Sequence, residues 1–121
     1  MTDDRPVILI VEDEPLIAML LEDVLENAGF SAIALPDAAR ALGHLEQHGV
    51  PDLILSDQTM PGMTGTAMAA EIHQRYGAVP ILIASGMTEG IEPHYPTLRK
   101  PFVEAEVLVK VNALLGRAVR G

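Results

Sequence analysis

Five side chains stand where short apolar runs end. Glu12 and Asp13 follow Val7-Ile8-Leu9-Ile10-Val11, and Asp57 follows Leu53-Ile54-Leu55-Ser56. Ser85 follows Ile81-Leu82-Ile83-Ala84, and Lys100 follows Thr97-Leu98-Arg99. One acid after an apolar run carries little meaning. Three carboxylates gathered in one crevice repel each other, so such a site either raises a pKa or takes up a cation. Oxygen donors favour Mg²⁺, which keeps several waters and needs only one or two direct carboxylates. A serine hydroxyl and a lysine both suit an oxyanion, one as hydrogen-bond donor and the other as point charge. A cation, a carboxylate nucleophile and a cationic side chain are the parts of in-line phosphoryl transfer. In that chemistry Asp57 attacks phosphorus while Mg²⁺ and Lys100 offset charge on the transferred oxygens. The backbone carbonyl of Thr59, just past the nucleophile, would complete the metal shell.

The elements that would bring these residues together are legible in order. The continuously apolar Val7–Val11 reads as a strand covered on both faces. Pro15 then opens a helix at its first turn, Leu16, Leu20, Val24 and Ala28 recur at spacing four beside Ile17, Leu21 and Leu25, and Gly29 closes it. Phe30–Leu35 is a second strand. Asp37 caps a helix over Ala38–His48 that stops at Gly49. Leu53–Ser56 is strand three, the Pro61-Gly62 loop follows, and Thr66–Tyr76 is helical up to Gly77. Pro80–Ala84 is strand four and Thr97–Arg99 a short strand five. Val103 to Leu115 is the last helix, ending at Gly116. Alternation of this kind predicts an α/β fold, a doubly wound five-stranded parallel sheet of order 2-1-3-4-5, flavodoxin-like, with ligands beyond the carboxyl ends of the strands. Between strands four and five, Gly86, Gly90, Pro93 and Pro96 forbid a long helix, so the fourth helix is expected to be shortened or missing. At most one turn is expected near Thr88–Glu92.

Composition narrows the function. The chain has 121 residues, 49% of them hydrophobic and 21% charged, which suits one globular domain. No stretch approaches the roughly 18 apolar residues of a membrane span. The acidic start Met1-Thr2-Asp3-Asp4 lacks the basic flank of a signal peptide, and there is no cysteine for disulfide, thiolate or redox chemistry. A cytoplasmic protein is expected. The net charge of −9 opposes autonomous nucleic-acid binding and suits cations or a basic partner surface.

Over essentially its whole length the chain resembles a response-regulator receiver domain of two-component signalling. Val-Glu-Asp-Glu-Pro at 11–15 matches the acidic pair, Asp57 to Gly65 the phosphoacceptor loop, Ser85 the hydroxyl, and Lys100-Pro101-Phe102 the lysine before a cis proline. The resemblance implies Mg²⁺-dependent transfer from a sensor histidine kinase's phosphohistidine to Asp57. Asp13 and Asp57 would hold the metal directly and Glu12 mostly through water. Thr59 and Met87, two residues beyond Asp57 and Ser85, would flank the phosphate and tune its hydrolysis. One departure stands out: Thr97 occupies the place, three residues before the lysine, where receivers usually carry an aromatic. Tyr95 lies two residues too early. Pro80-Ile81-Leu82-Ile83-Ala84-Ser85-Gly86 resembles a Pro-Phe-x-Phe-Ala-Thr-Gly-type motif, which marks a subgroup similar to stand-alone receivers that work with kinases of the HWE and related classes.

The resulting expectation is one receiver domain over residues 1–121 with no effector domain, a monomer or weak dimer. Its output would be phosphorylation-dependent contact with a downstream protein, or it would serve as a phosphate sink or intermediate. Phosphorylation is expected to order the Gly86–Pro96 loop. Two other classes compete: a Mg²⁺-dependent phosphohydrolase with an aspartyl-phosphate intermediate, and a pseudo-receiver that binds without taking phosphate. The hydrolase would place its nucleophile after strand one and needs a cap that this chain lacks. His44 and His48, at i and i+4, have no evident third ligand for a metal. His73 and His94 read as surface residues, and the six methionines as core and interface filler.

Overall fold

A computed structural model describes residues 4–86 and 95–116. The expectations for Met87, Thr88–Glu92, His94 and the Gly86–Pro96 loop as a whole rest on residues outside these, as does the C-terminus from Arg117.

Five parallel strands form one sheet: β1 (Val7–Val11), β2 (Ser31–Leu35), β3 (Leu53–Asp57), β4 (Ile81–Ser85) and β5 (Thr97–Arg99), in the order β2-β1-β3-β4-β5. The described helices are α1 (Pro15–Asn27), α2 (Ala38–His48), α3 (Gly65–Tyr76) and α4 (Glu104–Leu114). The expected doubly wound order is therefore observed. Phe30 and Pro80 fall just outside their strands, whereas Asp57 and Ser85 are the last residues of theirs.

Side chains alternate across the sheet and define two cores. On one face Leu9, Val11, Ile54, Ile81 and Ile83 pack against Ala41 and Leu45 of α2 and Met68 and Ile72 of α3. On the other, Ile8, Ile10, Leu55, Leu82 and Leu98 pack against Leu21 and Leu25 of α1 and Val107 and Val111 of α4. The central strands β3 and β4 are buried at all five positions, which is why their sequences read as unbroken apolar runs.

Local signals set the helix ends. The Asp37 carboxylate accepts a hydrogen bond from the Arg40 N–H, and Thr64 Oγ1 accepts one from Ala67 N–H, so α2 and α3 are both side-chain capped. Gly49 leaves α2 with φ 84°, a conformation costly for any residue with a Cβ. In α1 only Val24 of the Leu16, Leu20, Val24, Ala28 stripe packs inward. Leu16 is 80% exposed, Met19 59% and Leu20 47%, while Ala18, Leu21, Val24 and Leu25 are buried. The helix is apolar around most of its girth, and its place on the sheet selects the buried side.

Candidate functional site

All five strand-end residues converge at the carboxyl edge, where the order reverses between β1 and β3. Glu12 follows β1 and is buried, its backbone N–H bonded to Leu35 O across the sheet. Asp57 ends β3 and keeps 9% of its exposure; Asp13 is exposed. One carboxylate oxygen from each of Glu12, Asp13 and Asp57 lies within 4.8 Å of the others. Into this cluster reaches Lys100, whose Nζ donates to Glu12 Oε1 at 3.2 Å and lies 3.1 Å from Asp57 Oδ1. Lys100 is positioned by β5: its N–H donates to Ser85 O at 2.8 Å, and the Lys100–Pro101 peptide is cis, as the motif implied. Ser85 is 6% exposed at the end of β4.

The electrostatics follow from this packing. Burial pushes the Glu12 carboxyl above its ordinary range. A hydrogen bond from Glu14 N–H opposes that shift, Asp57 adds to it, and Lys100 partly offsets it. For Lys100, burial alone would lower the pKa, but the hydrogen bond and charge of Asp57, then those of Glu12, outweigh it and raise the net value. The ammonium is thus firmly charged among carboxylates. A cluster of oxygen donors with one cation held to its side fits a hard divalent ion better than a transition metal.

The loop after β3 is fixed by a residue that sequence reasoning passed over. Gln58 accepts from Thr66 N–H through Oε1 at 2.8 Å and donates to Thr66 Oγ1 through Nε2 at 3.0 Å. Its backbone oxygen also accepts from Gly65 N–H, closing the turn that carries exposed Thr59. Gly65 has no room for a side chain: a Cβ there would collide with the Asp57 carbonyl oxygen, to which Ser56 Oγ also donates at 2.9 Å. The partner of Gln58 lies eight residues on, across a loop, so no local periodicity could have signalled it.

The remaining expected residues lie elsewhere. Thr97 is half-buried on β5, and its hydroxyl donates to Tyr95 O at 3.3 Å. Tyr95 stacks on His73 with ring centroids 5.9 Å apart. It precedes β5, about four residues below the level of Ser85, or about 13 Å along the sheet. It therefore does not replace the absent aromatic. His73 is half-buried, not a surface residue, and its Nε2 lies 2.9 Å from Val79 O. The His44 and His48 rings lie 4.5 Å apart, tilted by 37°, near the opposite edge from the carboxylates. Among the described residues, Glu12, Asp13 and Asp57 form the metal-capable cluster, and the histidine pair joins none.

Fold and site together define a phosphoacceptor of the receiver class. The model of the response regulator receiver domain family matches residues 8–111, and the chain belongs to that family. It is 32% identical over 122 residues to the transcriptional regulatory protein BaeR of Escherichia coli O6:H1, covering 95% of this chain and 50% of that protein. It is 28% identical to the sensor histidine kinase TmoS of Ectopseudomonas mendocina, covering 98% of this chain and 13% of that one. The chain thus spans half or less of these relatives. A putative response regulator from Chloroflexus aurantiacus superposes with a TM-score of 0.85 at 28% identity, covering 94% of this chain and all of that one. Receiver domains act in phosphorelay signalling with sensor histidine kinases and generally bind Mg²⁺ at an acidic cluster. No described helix is long and apolar enough to cross a membrane.

Proposed function

We propose that Asp57 accepts a phosphoryl group from the phosphohistidine of a sensor histidine kinase. The observation that carries this reading is Lys100 Nζ, held within 3.2 Å of both Glu12 and Asp57 at the carboxyl edge of the sheet. A carboxylate oxygen of Asp57 forms the new bond to phosphorus. The phosphorus–nitrogen bond of the donor breaks, and its electron pair returns to the imidazole nitrogen. Lys100 offsets charge on the transferred oxygens, and Ser85, whose backbone is tied to Lys100, supplies a hydroxyl beside them. Asp13 and Asp57 would hold Mg²⁺ directly, with Glu12 acting mostly through water and the Thr59 carbonyl completing the shell. When bound, the ion neutralises the negative charge that builds on the phosphoryl oxygens.

The donor must dock beside this edge. Leu16, Met19 and Leu20 of α1 are exposed there, next to a groove of about 290 Å³ lined by Leu20, Val24, Phe102, Val103, Glu104 and Val107. Solvent-exposed apolar residues in such a group mark a protein contact, and we assign this face to the kinase. The strand-four segment Pro80–Gly86 and Thr97 support the Pro-Phe-x-Phe-Ala-Thr-Gly-type subgroup and an HWE-type donor. Output through a protein contact accords with the net charge of −9, which disfavours nucleic acid.

Intact mass after incubation with acetyl phosphate and Mg²⁺ tests the acceptor. The wild type should gain one phosphoryl group and Asp57→Asn none; equal modification of both would refute it. Sustained turnover of small phosphoesters would instead favour the hydrolase.

A further inference from the structure

We propose that Arg99 is a second cationic side chain for the phosphoryl group, engaged only when Asp57 carries one. The inference rests on the acceptor reading above and concerns how the loaded site is held. Lys100 is already shared between Glu12 and Asp57. With a phosphoryl group of about −2 on Asp57, a bound divalent ion and Lys100 together still fall short of the negative charge of that group plus Glu12 and Asp13.

The register places one guanidinium nearby. In the parallel ladder Arg99 is paired with Ser85, about 4.8 Å away between strands, and the two share a face of the sheet. Lys100, one residue on, alternates to the other side and meets Asp57. Arg99 is exposed, and among the described residues it has no ion pair. Arg5 lies against Glu26, Arg40 against Asp37, and Arg75 against Glu46 and Glu71. Two residues back on the same face stands Thr97, a small side chain whose hydroxyl is turned to Tyr95 O. Nothing bulky at 97 therefore stands where a guanidinium would fold across the strand end toward the Ser85 hydroxyl. A planar guanidinium can take two phosphoryl oxygens at once, which an ammonium cannot. Arg99 then supplies from β5 the response to phosphate that an aromatic at 97 cannot.

Beryllium trifluoride, a phosphoryl mimic, tests this by calorimetric titration in Mg²⁺ on wild type, Arg99→Gln, Arg99→Lys and Asp57→Asn. Arg99→Gln should weaken the mimic about threefold to tenfold, the range for a solvent-facing but doubly charged contact. Its Mg²⁺ affinity and melting temperature in EDTA should match wild type, and Arg99→Lys should recover part of the loss. Arg99→Gln binding the mimic as tightly as wild type would overturn the role of Arg99. Wild type failing to bind it, with Asp57 unmodified by acetyl phosphate, would instead overturn the acceptor reading.

Discussion

Neutralising Asp57 should stabilise the metal-free protein while reducing its response to metal. The oxygens of Glu12, Asp13 and Asp57 lie within 4.8 Å of one another. At an effective dielectric of about 20, each pair of unit charges at that distance repels by about 3.5 kcal/mol. Asp57 therefore meets two repulsions summing to about 7 kcal/mol, against an attraction of about 5 kcal/mol to Lys100 at 3.1 Å. The balance is about 2 kcal/mol unfavourable, and solvent around exposed Asp13 and the 23%-exposed Lys100 side chain screens it to about 1 kcal/mol. Asp57→Asn keeps the shape and removes that strain, so in EDTA it should melt about 4 °C above wild type. With Mg²⁺ at about 100 times its dissociation constant, the wild type should gain about 2.7 kcal/mol, or about 10 °C, and the variant distinctly less. Thermal melts followed by circular dichroism, in EDTA and across a Mg²⁺ titration, check both halves. A variant that melts at or below wild type in EDTA would refute the electrostatic argument. An undiminished Mg²⁺ shift in Asp13→Asn would refute the location of the metal.

Three further outcomes are expected. Gly65→Ala drives a methyl into the Asp57 carbonyl and should cost about 2–3 kcal/mol in urea unfolding, with slower labelling by acetyl phosphate. Leu20→Glu changes an exposed residue, so it should leave stability and acetyl phosphate labelling intact but abolish transfer from a kinase; unimpaired transfer would move the docking face elsewhere. Burial, then the neighbouring His48, lowers the His44 pKa below its ordinary 6.5. Between the lowered value and 6.5 the unfolded chain binds more protons, so this contribution is complete above that window and is lost as pH falls through it. His44→Gln should flatten that loss relative to wild type when urea midpoints are compared at pH values on either side.

What could be read without coordinates was what depends on near neighbours. Helix α2 has the bounds its cap Asp37 and its exit Gly49 dictate, and the two run-on apolar strands could only be central. The site was legible because each reactive residue ends a strand, and strand order alone brings such ends together. Contacts between distant segments were not legible. Nothing local distinguishes the outward Leu16 and Leu20 from the inward Leu21 and Leu25 in a helix apolar on most sides. The burial of His73 depends on Val79 O and on a tyrosine from just before β5. Gln58 holds the acceptor loop through Thr66, a pairing visible only once the loop has closed.

The stacked Tyr95 also determines what light can report about this protein. The sequence has no tryptophan and two tyrosines. Tyr76 ends α3 and Tyr95 lies just before β5, so both sit by the edge of the sheet opposite the carboxylates, packed against the same core. Their intrinsic emission is therefore remote from whatever happens on Asp57. A change in tyrosine fluorescence on adding a phosphoryl mimic would be a signal that had crossed the sheet. A tryptophan placed at Thr97 would give a second reporter nearer the acceptor, and the two read together would time the passage from one edge to the other.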